Sequence, residues 1–294
     1  MSHSPRLNLA VRDRFLKWTI TAKIFNILDT YLRPSSTIAP IDAAQEINQL
    51  FPLNRPTEGE EPNEEPISFL WEMWELVLDV VSQLPWDHPS QERSIDLLKA
   101  LRSLPDPVMV DMPGFGEMRV WADLPILHPV LNEVYYGIDA PEFKEEEKFR
   151  SHNYNTFCAR MMRDSIRNRT TYAICTMRDA LEVEPDYRAR AYHTQGPQLN
   201  TFVPIAATWI MLAGNYLFHC SQDSGQGAEA DSQSIAGGRG WKGANGYSLD
   251  RWRFWKRRFS ELKEQDQASE ETREFARKAE DRMNKVEAND VGSS

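Results

Sequence analysis

The chain has 294 residues, nine tryptophans, thirteen phenylalanines and a formal net charge of −10, enough apolar and aromatic material for a sizeable core. Its negative field repels a phosphate backbone and an anionic bilayer, which argues against nucleic acid and membrane as partners. Cys158, Cys175 and Cys220 are too widely spaced for a CxxC or zinc-finger site and read as reduced thiols; with no signal-peptide run at the N-terminus, the expected location is the cytoplasm, with the nucleus as the alternative.

Apolar residues recur at helical rather than strand spacing along almost the whole chain. Val11, Phe15, Trp18, Ala22 and Phe25 form one stripe, and Ile20, Ile24, Ile27 and Tyr31 a second. The first helix is therefore expected to pack on two sides and to stop at Arg33–Pro34, where the proline disfavours helical torsions in the residue before it. Pro40 suits the first position of a second helix, with Ile41, Ala44, Ile47 and Leu50 facing inward. Residues 52–66, acidic and proline-rich, read as an exposed loop. Ile67–Leu84 carries Leu70, Trp71, Trp74, Leu78 and Val81 as a core helix, and Pro89 opens another, faced by Ile95, Leu98 and Leu101. Residues 105–125 show no clear period and are broken by Pro105, Pro107, Pro113, Gly114, Gly116 and Pro125, with short β pairing around Met118–Trp121 left open.

A short helix near Pro129–Tyr136 precedes a longer one that Pro141 opens and that runs past Arg163; Thr170–Leu181 continues it to a stop before Pro185. Val203–Phe218 is apolar nearly all round, the mark of a helix buried among others. At about sixteen residues, interrupted by Gly214 and Asn215, it is too short for a membrane span. Residues 221–240 read as a flexible loop, followed by helices near Leu249–Gln265 and Ser269–Val286. The expectation is an all-α fold: a single irregular multi-helix domain of about eight to ten helices over residues 1–265, with one buried central helix (203–218). A C-terminal helix and disordered tail would occupy residues 266–294.

The most informative local pattern is Gly237–Phe259, a glycine-rich loop feeding a tryptophan-rich helix. Gly238–Gly243 has the letters of a dinucleotide fingerprint, GxGxxG. That fingerprint needs a strand before the glycines and a helix opening at the last of them. Here no strand precedes, the helix starts too late, and Trp241 stands where a phosphate would approach, so no cofactor is expected. Ser248 is a good N-cap. Trp252, Trp255, Phe259 and Leu262 should face the core. Arg251, Arg253, Lys256, Arg257 and Arg258 would fill the remaining circumference as a solvated basic face paired to acids such as Glu261 and Glu264.

Trp241, Lys242, Gly243, Gly246, Tyr247, Ser248, Arg251, Trp252, Trp255, Arg258 and Phe259 together resemble a motif of a filamentous-fungal family, the domain of unknown function 3632. A second block, Pro204-Ile-Ala-Ala-Thr-Trp209 with Gly214, and a third, Trp121-Ala-Asp-Leu-Pro125, are similar to other segments of that family. The resemblance spans roughly residues 10–265. It implies a mainly helical, intracellular fungal protein, with no catalytic residues to carry over and a faint link to secondary metabolism.

Outside that motif, Arg160, Arg163 and Arg167 fall at i, i+3 and i+7 and would share a helix face. Arg188, Arg190 and His193 could converge with them on a small anionic metabolite, since guanidinium forks suit carboxylates and phosphates. His152-Asn-Tyr-Asn155 sets polar groups between Phe149 and Phe157, and such a cluster, if buried, must be satisfied by neighbours, water or a ligand. The six histidines have no metal-ligand spacing, so no metal site is expected. The functional expectation is a non-catalytic accessory or interaction protein that binds a partner protein or a small metabolite. The alternative is an enzyme of fungal secondary metabolism with a helical pocket where His152, Arg160 and His193 meet. Nothing in the sequence sets the oligomeric state.

Overall fold

The computed structural model describes residues 7–12, 15, 19–56, 63–105, 108–136, 144–183, 195–223 and 235–291. These form ten α-helices, one 3-10 turn at Pro52–Asn54 and one two-stranded antiparallel sheet, so the fold is all-α apart from a hairpin. The chain divides into two compact units, Met1–Phe157 and Cys158–Ser294.

The first unit contains α1 (Thr19–Leu32), α2 (Pro40–Gln49), α3 (Pro66–Gln83), α4 (Pro89–Arg102), β1 (Met109–Met112), β2 (Gly116–Arg119), α5 (Leu127–Tyr136) and the first turns of α6 (Glu145–Arg163). Three of these helices open on a proline, where its missing N–H has no intrahelical partner to lose and its fixed φ already suits the helix. α1 starts later than the apolar stripe suggests. Residues 7–12 are not helical, because the Gln83 side-chain amide takes the place of helix partners: it accepts from Ala10 N at 2.9 Å and donates to Ala10 O at 3.0 Å. α2 packs on α4, α1 on α2 and α3, and α5 on α3, around Tyr31, Phe51, Phe69 and Trp74, all buried. The Trp74 indole donates to Pro125 O at 2.9 Å. That bond pins a strained turn in which Leu124 and Ile126 both take left-handed torsions, a conformation costly for any residue with a Cβ and most of all for a β-branched one.

The hairpin answers the question left open for residues 105–125. Pairing runs Met109↔Arg119, Val110↔Met118, Asp111↔Glu117 and Met112↔Gly116, upstream of where the sequence hinted. Its position follows from Pro113 and Gly114: Phe115 N donates to Met112 O at 2.8 Å across a turn with Gly114 at φ +83°. Proline second and a positive-φ glycine third is the chemistry of a type II turn.

The second unit contains the end of α6, α7 (Thr170–Leu181), α8 (Gln195–Gln222), α9 (Leu249–Leu262) and α10 (Glu270–Val291). α6 does not run past Arg163. It closes in a Schellman pattern, with Ser165 at φ +54°, Ile166 N bonded to Met161 O at 2.9 Å and Ser165 N to Met162 O at 3.1 Å. Serine in the position that glycine usually fills is why the stop is invisible in the sequence. α8 is the expected buried central helix, extended at both ends beyond 203–218. Pro204 lies inside it, and Val203, Ala206, Ala207, Trp209 and Ile210 are buried. Its stretch Gln198–Gln222 is long and apolar enough to cross a bilayer, but 72% of the most apolar window is buried by the fold, as in a core helix. α10 packs along α8 and α9, approaching α8 closely at Gly214, where a Cβ would lie 3.6 Å from the Val286 Cγ2 methyl.

Candidate functional site

His152 lies on α6 within the first unit. Its ring stacks on Trp86 with centroids 5.3 Å apart and planes 7° off parallel. Burial pushes its pKa down to about 4, because an imidazolium loses hydration there. The ring is therefore neutral at physiological pH. The polar residues that follow it on α6 run into the interior. The neighbouring Asn153, fully buried, donates to Ser82 O at 2.9 Å. Fully buried Gln91 donates from one amide nitrogen to Leu84 O at 2.9 Å, Val81 O at 3.3 Å and Asn153 O at 3.3 Å. At the edge of this seam, buried Asp79 is paired with Arg12 at 2.7 Å and Arg150 at 3.3 Å. Sequence reasoning has no means to place Gln91 beside Asn153, since 62 residues separate them.

The arginine face does not form as expected. Arg160 is buried, Arg163 is exposed and paired with Asp164 at 2.6 Å, and Arg167 falls after the end of α6. His193, with Arg188 and Arg190, lies outside the described residues. Among the described residues no group of three or more metal-ligating side chains comes together.

The glycine loop and α9 form a dense polar construction in the second unit. Ser248 caps the helix, its hydroxyl accepting from Arg251 N at 3.1 Å. Trp252, Trp255, Phe259 and Leu262 are buried, as their spacing requires. Arg251 corrects the expectation of a solvated face: it is fully buried. Its Nε and Nη2 grip the two oxygens of fully buried Glu182 at 2.7 and 3.0 Å. Nη1 donates to Ile235 O at 3.0 Å and Gly246 O at 2.9 Å, and Nη2 also to Ala236 O at 3.2 Å, so all five guanidinium hydrogens are used. Glu182 accepts two further bonds at 2.7 Å, from Trp255 Nε1 and from Gly238 N. Arg253, Lys256 and Arg258 do lie outward and pair with Asp250, Glu287 and Glu261.

The glycines serve this ion pair. Gly240 N donates to the Glu182 carbonyl at 2.7 Å, and a Cβ on Gly238 would sit 2.7 Å from the same oxygen. The backbone must come this close to a carboxylate-bearing residue of its own chain, so only glycine fits. Trp241 turns back on the loop, donating to Ala244 O at 2.8 Å, and a Cβ on Gly243 would meet its ring at 2.2 Å. Tyr247 donates to Thr170 O at 2.7 Å, and burial holds its hydroxyl well above the usual phenol range. Glu182 is the partner that spacing and composition do not reveal. The only signal for it is its place just after a helix end.

These contacts account for most of the Trp241–Phe259 motif, Arg251, Trp255, Tyr247 and the glycines above all, as a closure device. A family model described as "Protein of unknown function (DUF3632)" matches residues 74–259. The chain belongs to the DUF3632 family. The match opens on Trp74, which pins the strained Leu124–Ile126 turn, and closes on Phe259 in the last turn of α9, so the DUF3632 region takes in the hairpin, the polar seam and the Glu182–Arg251 closure. No curated protein and no solved structure matches the chain.

One surface feature of this DUF3632 protein is not absorbed by its core. Phe115, at the hairpin tip, is 78% exposed, although β1 below it buries Val110 and Met112 and the turn after β2 buries Val120 and Trp121. Trp121 is bonded to Asn48 Oδ1 at 2.6 Å and packs edge-on against Phe51, which anchors the base. Asp111 and Glu117 face each other across the strands, both exposed, a like-charge pairing that costs the sheet a few tenths of a kcal/mol or more.

Proposed function

We propose that this protein is a non-catalytic accessory protein that engages a partner protein through the β1–β2 hairpin. The observation that carries this reading is Phe115: a large apolar ring held out in water on a turn whose base is tied to the core. Water-exposed phenylalanine contributes nothing to folding, whereas a ring of this size seated in a pocket is the kind of anchor that dominates an interface. The flanking Asp111–Glu117 pair and the exposed Met109 set the partner's chemistry, an apolar recess rimmed by lysine or arginine. A basic partner relieves the cross-strand repulsion that the free hairpin bears, and complementary charge raises the rate of encounter.

The test places a photo-crosslinking phenylalanine analogue at position 115 in the cell of origin and identifies the adduct by mass spectrometry. Binding of that partner, purified, is then measured by calorimetry. Phe115→Ser should weaken it at least about tenfold and leave the thermal midpoint of the protein unchanged. Asp111→Lys with Glu117→Lys should weaken it further, chiefly at low salt. Equal affinity for wild type and Phe115→Ser would overturn the proposal.

A further inference from the structure

In the first unit the end of α3, the start of α4 and α6 meet around side chains that are polar and wholly enclosed. His88, Gln91 and Asn153 are 3%, 0% and 0% exposed. One atom of each has no hydrogen-bond partner among the protein's own atoms: His88 Nε2, Gln91 Oε1 and Asn153 Oδ1. A buried polar atom left in that condition costs about 1–3 kcal/mol, and three in one seam call for an account.

Hydrogen bonding fixes which chemistry each atom offers. The Gln91 amide cannot be turned round, because its nitrogen lies against the carbonyls of Leu84, Val81 and Asn153 and an oxygen there would be repelled by all three. The Asn153 amide is fixed in the same way by Ser82 O. The orphans of both are therefore acceptors. His88 Nδ1 accepts from Ser90 N at 3.2 Å, so the ring proton is on Nε2, which is a donor. The residues are also linked to one another: Gln91 N donates to His88 O at 3.0 Å, and Gln91 Nε2 reaches Asn153 O.

We propose that His88, Gln91 and Asn153 form a binding site for a single buried water molecule. Two acceptors and one donor are the complement of a water that gives two hydrogen bonds and takes one, the usual number for an interior water. Other small occupants are excluded by the same pattern. A cation has no lone pair for the His88 N–H, and an anion has no proton for the two amide oxygens. The water joins the start of α4 to α6.

Two measurements test the site. In a crystal structure at a resolution that orders interior solvent, a density peak should lie within hydrogen-bond reach, roughly 2.7–3.2 Å, of His88 Nε2, Gln91 Oε1 and Asn153 Oδ1. In oxygen-17 magnetic relaxation dispersion, the apolar near-isostere Gln91→Met should lower the amplitude by one long-lived water relative to wild type. A folded Gln91→Met protein with undiminished amplitude would overturn the proposal. So would density showing the three atoms bonded to one another or to nothing, and that result decides the matter if the variant does not fold.

Discussion

At the scale of single residues, Arg251 and Glu182 show how a buried charge is tolerated. Two ions taken from water into a protein interior recover their hydration only if geometry is close and every remaining proton and lone pair is met. Here the fork is bidentate, three backbone carbonyls take the other guanidinium hydrogens, and an indole and an amide N–H complete the carboxylate. Removing one partner strands the other. Arg251→Met should therefore lower unfolding free energy in urea by about 3–5 kcal/mol, and the double change Arg251→Met with Glu182→Leu should cost less than the single one. A double variant as unstable as the sum of its singles would show that the two side chains do not act as a pair. Gly238→Ala probes the same device from the backbone. Its Cβ would press on the Glu182 carbonyl, a contact with no flexible atom to yield, so it should destabilise the protein while the exposed Arg253→Ala stays within about 0.5 kcal/mol of wild type.

At the scale of elements, α9 is the clearest case of a helix readable in advance. Its N-cap serine, its buried aromatic and leucine positions and its start at Leu249 all follow from spacing and capping chemistry. Trp252 is enclosed completely, rests against Phe218 with centroids 5.1 Å apart and donates to Glu287 Oε1 at 2.9 Å. Trp252→Ala should cost about 3–5 kcal/mol, visible as a fall in thermal midpoint; an unchanged midpoint would mean that the indole is not packed as the structure has it. What spacing could not supply is equally specific. An arginine among five basic residues carries no local mark that it, and not Arg253 or Arg257, turns inward, because the mark is an acid 69 residues away. The end of α6 is hidden because Ser165 occupies a left-handed position without the glycine that would announce it. The hairpin is half visible: Pro113 and Gly114 specify a turn, but strands of four residues are too short to show alternation. The polar seam is legible as an anomaly, asparagines on a core helix, and illegible as a site, because its other members come from α3 and α4.

At the scale of the whole molecule, charge and the burial of His152 act in the same pH range. The net charge of −10 near neutrality fades toward the sequence isoelectric point of about 5.2, and with it goes the repulsion that keeps copies apart. His152 adds a stability contribution of definite sign. Its folded pKa, about 4, lies below the ordinary 6.5 because burial penalises the imidazolium. Between these values the unfolded chain therefore holds more protons than the folded one, and stability rises with pH across that window. Acidification from neutrality should thus lower unfolding free energy progressively below pH ~6.5, by up to about 3 kcal/mol near pH 4 from this group alone. His152→Phe keeps a flat ring against Trp86 and removes the titration. Urea unfolding of the variant should show a shallower loss of stability between about pH 6.5 and pH 4 than wild type, while both proteins share the same solubility minimum near the isoelectric point. If the two stability profiles run parallel, the histidine is not held neutral in the fold, and the acid sensitivity must arise from the carboxylates.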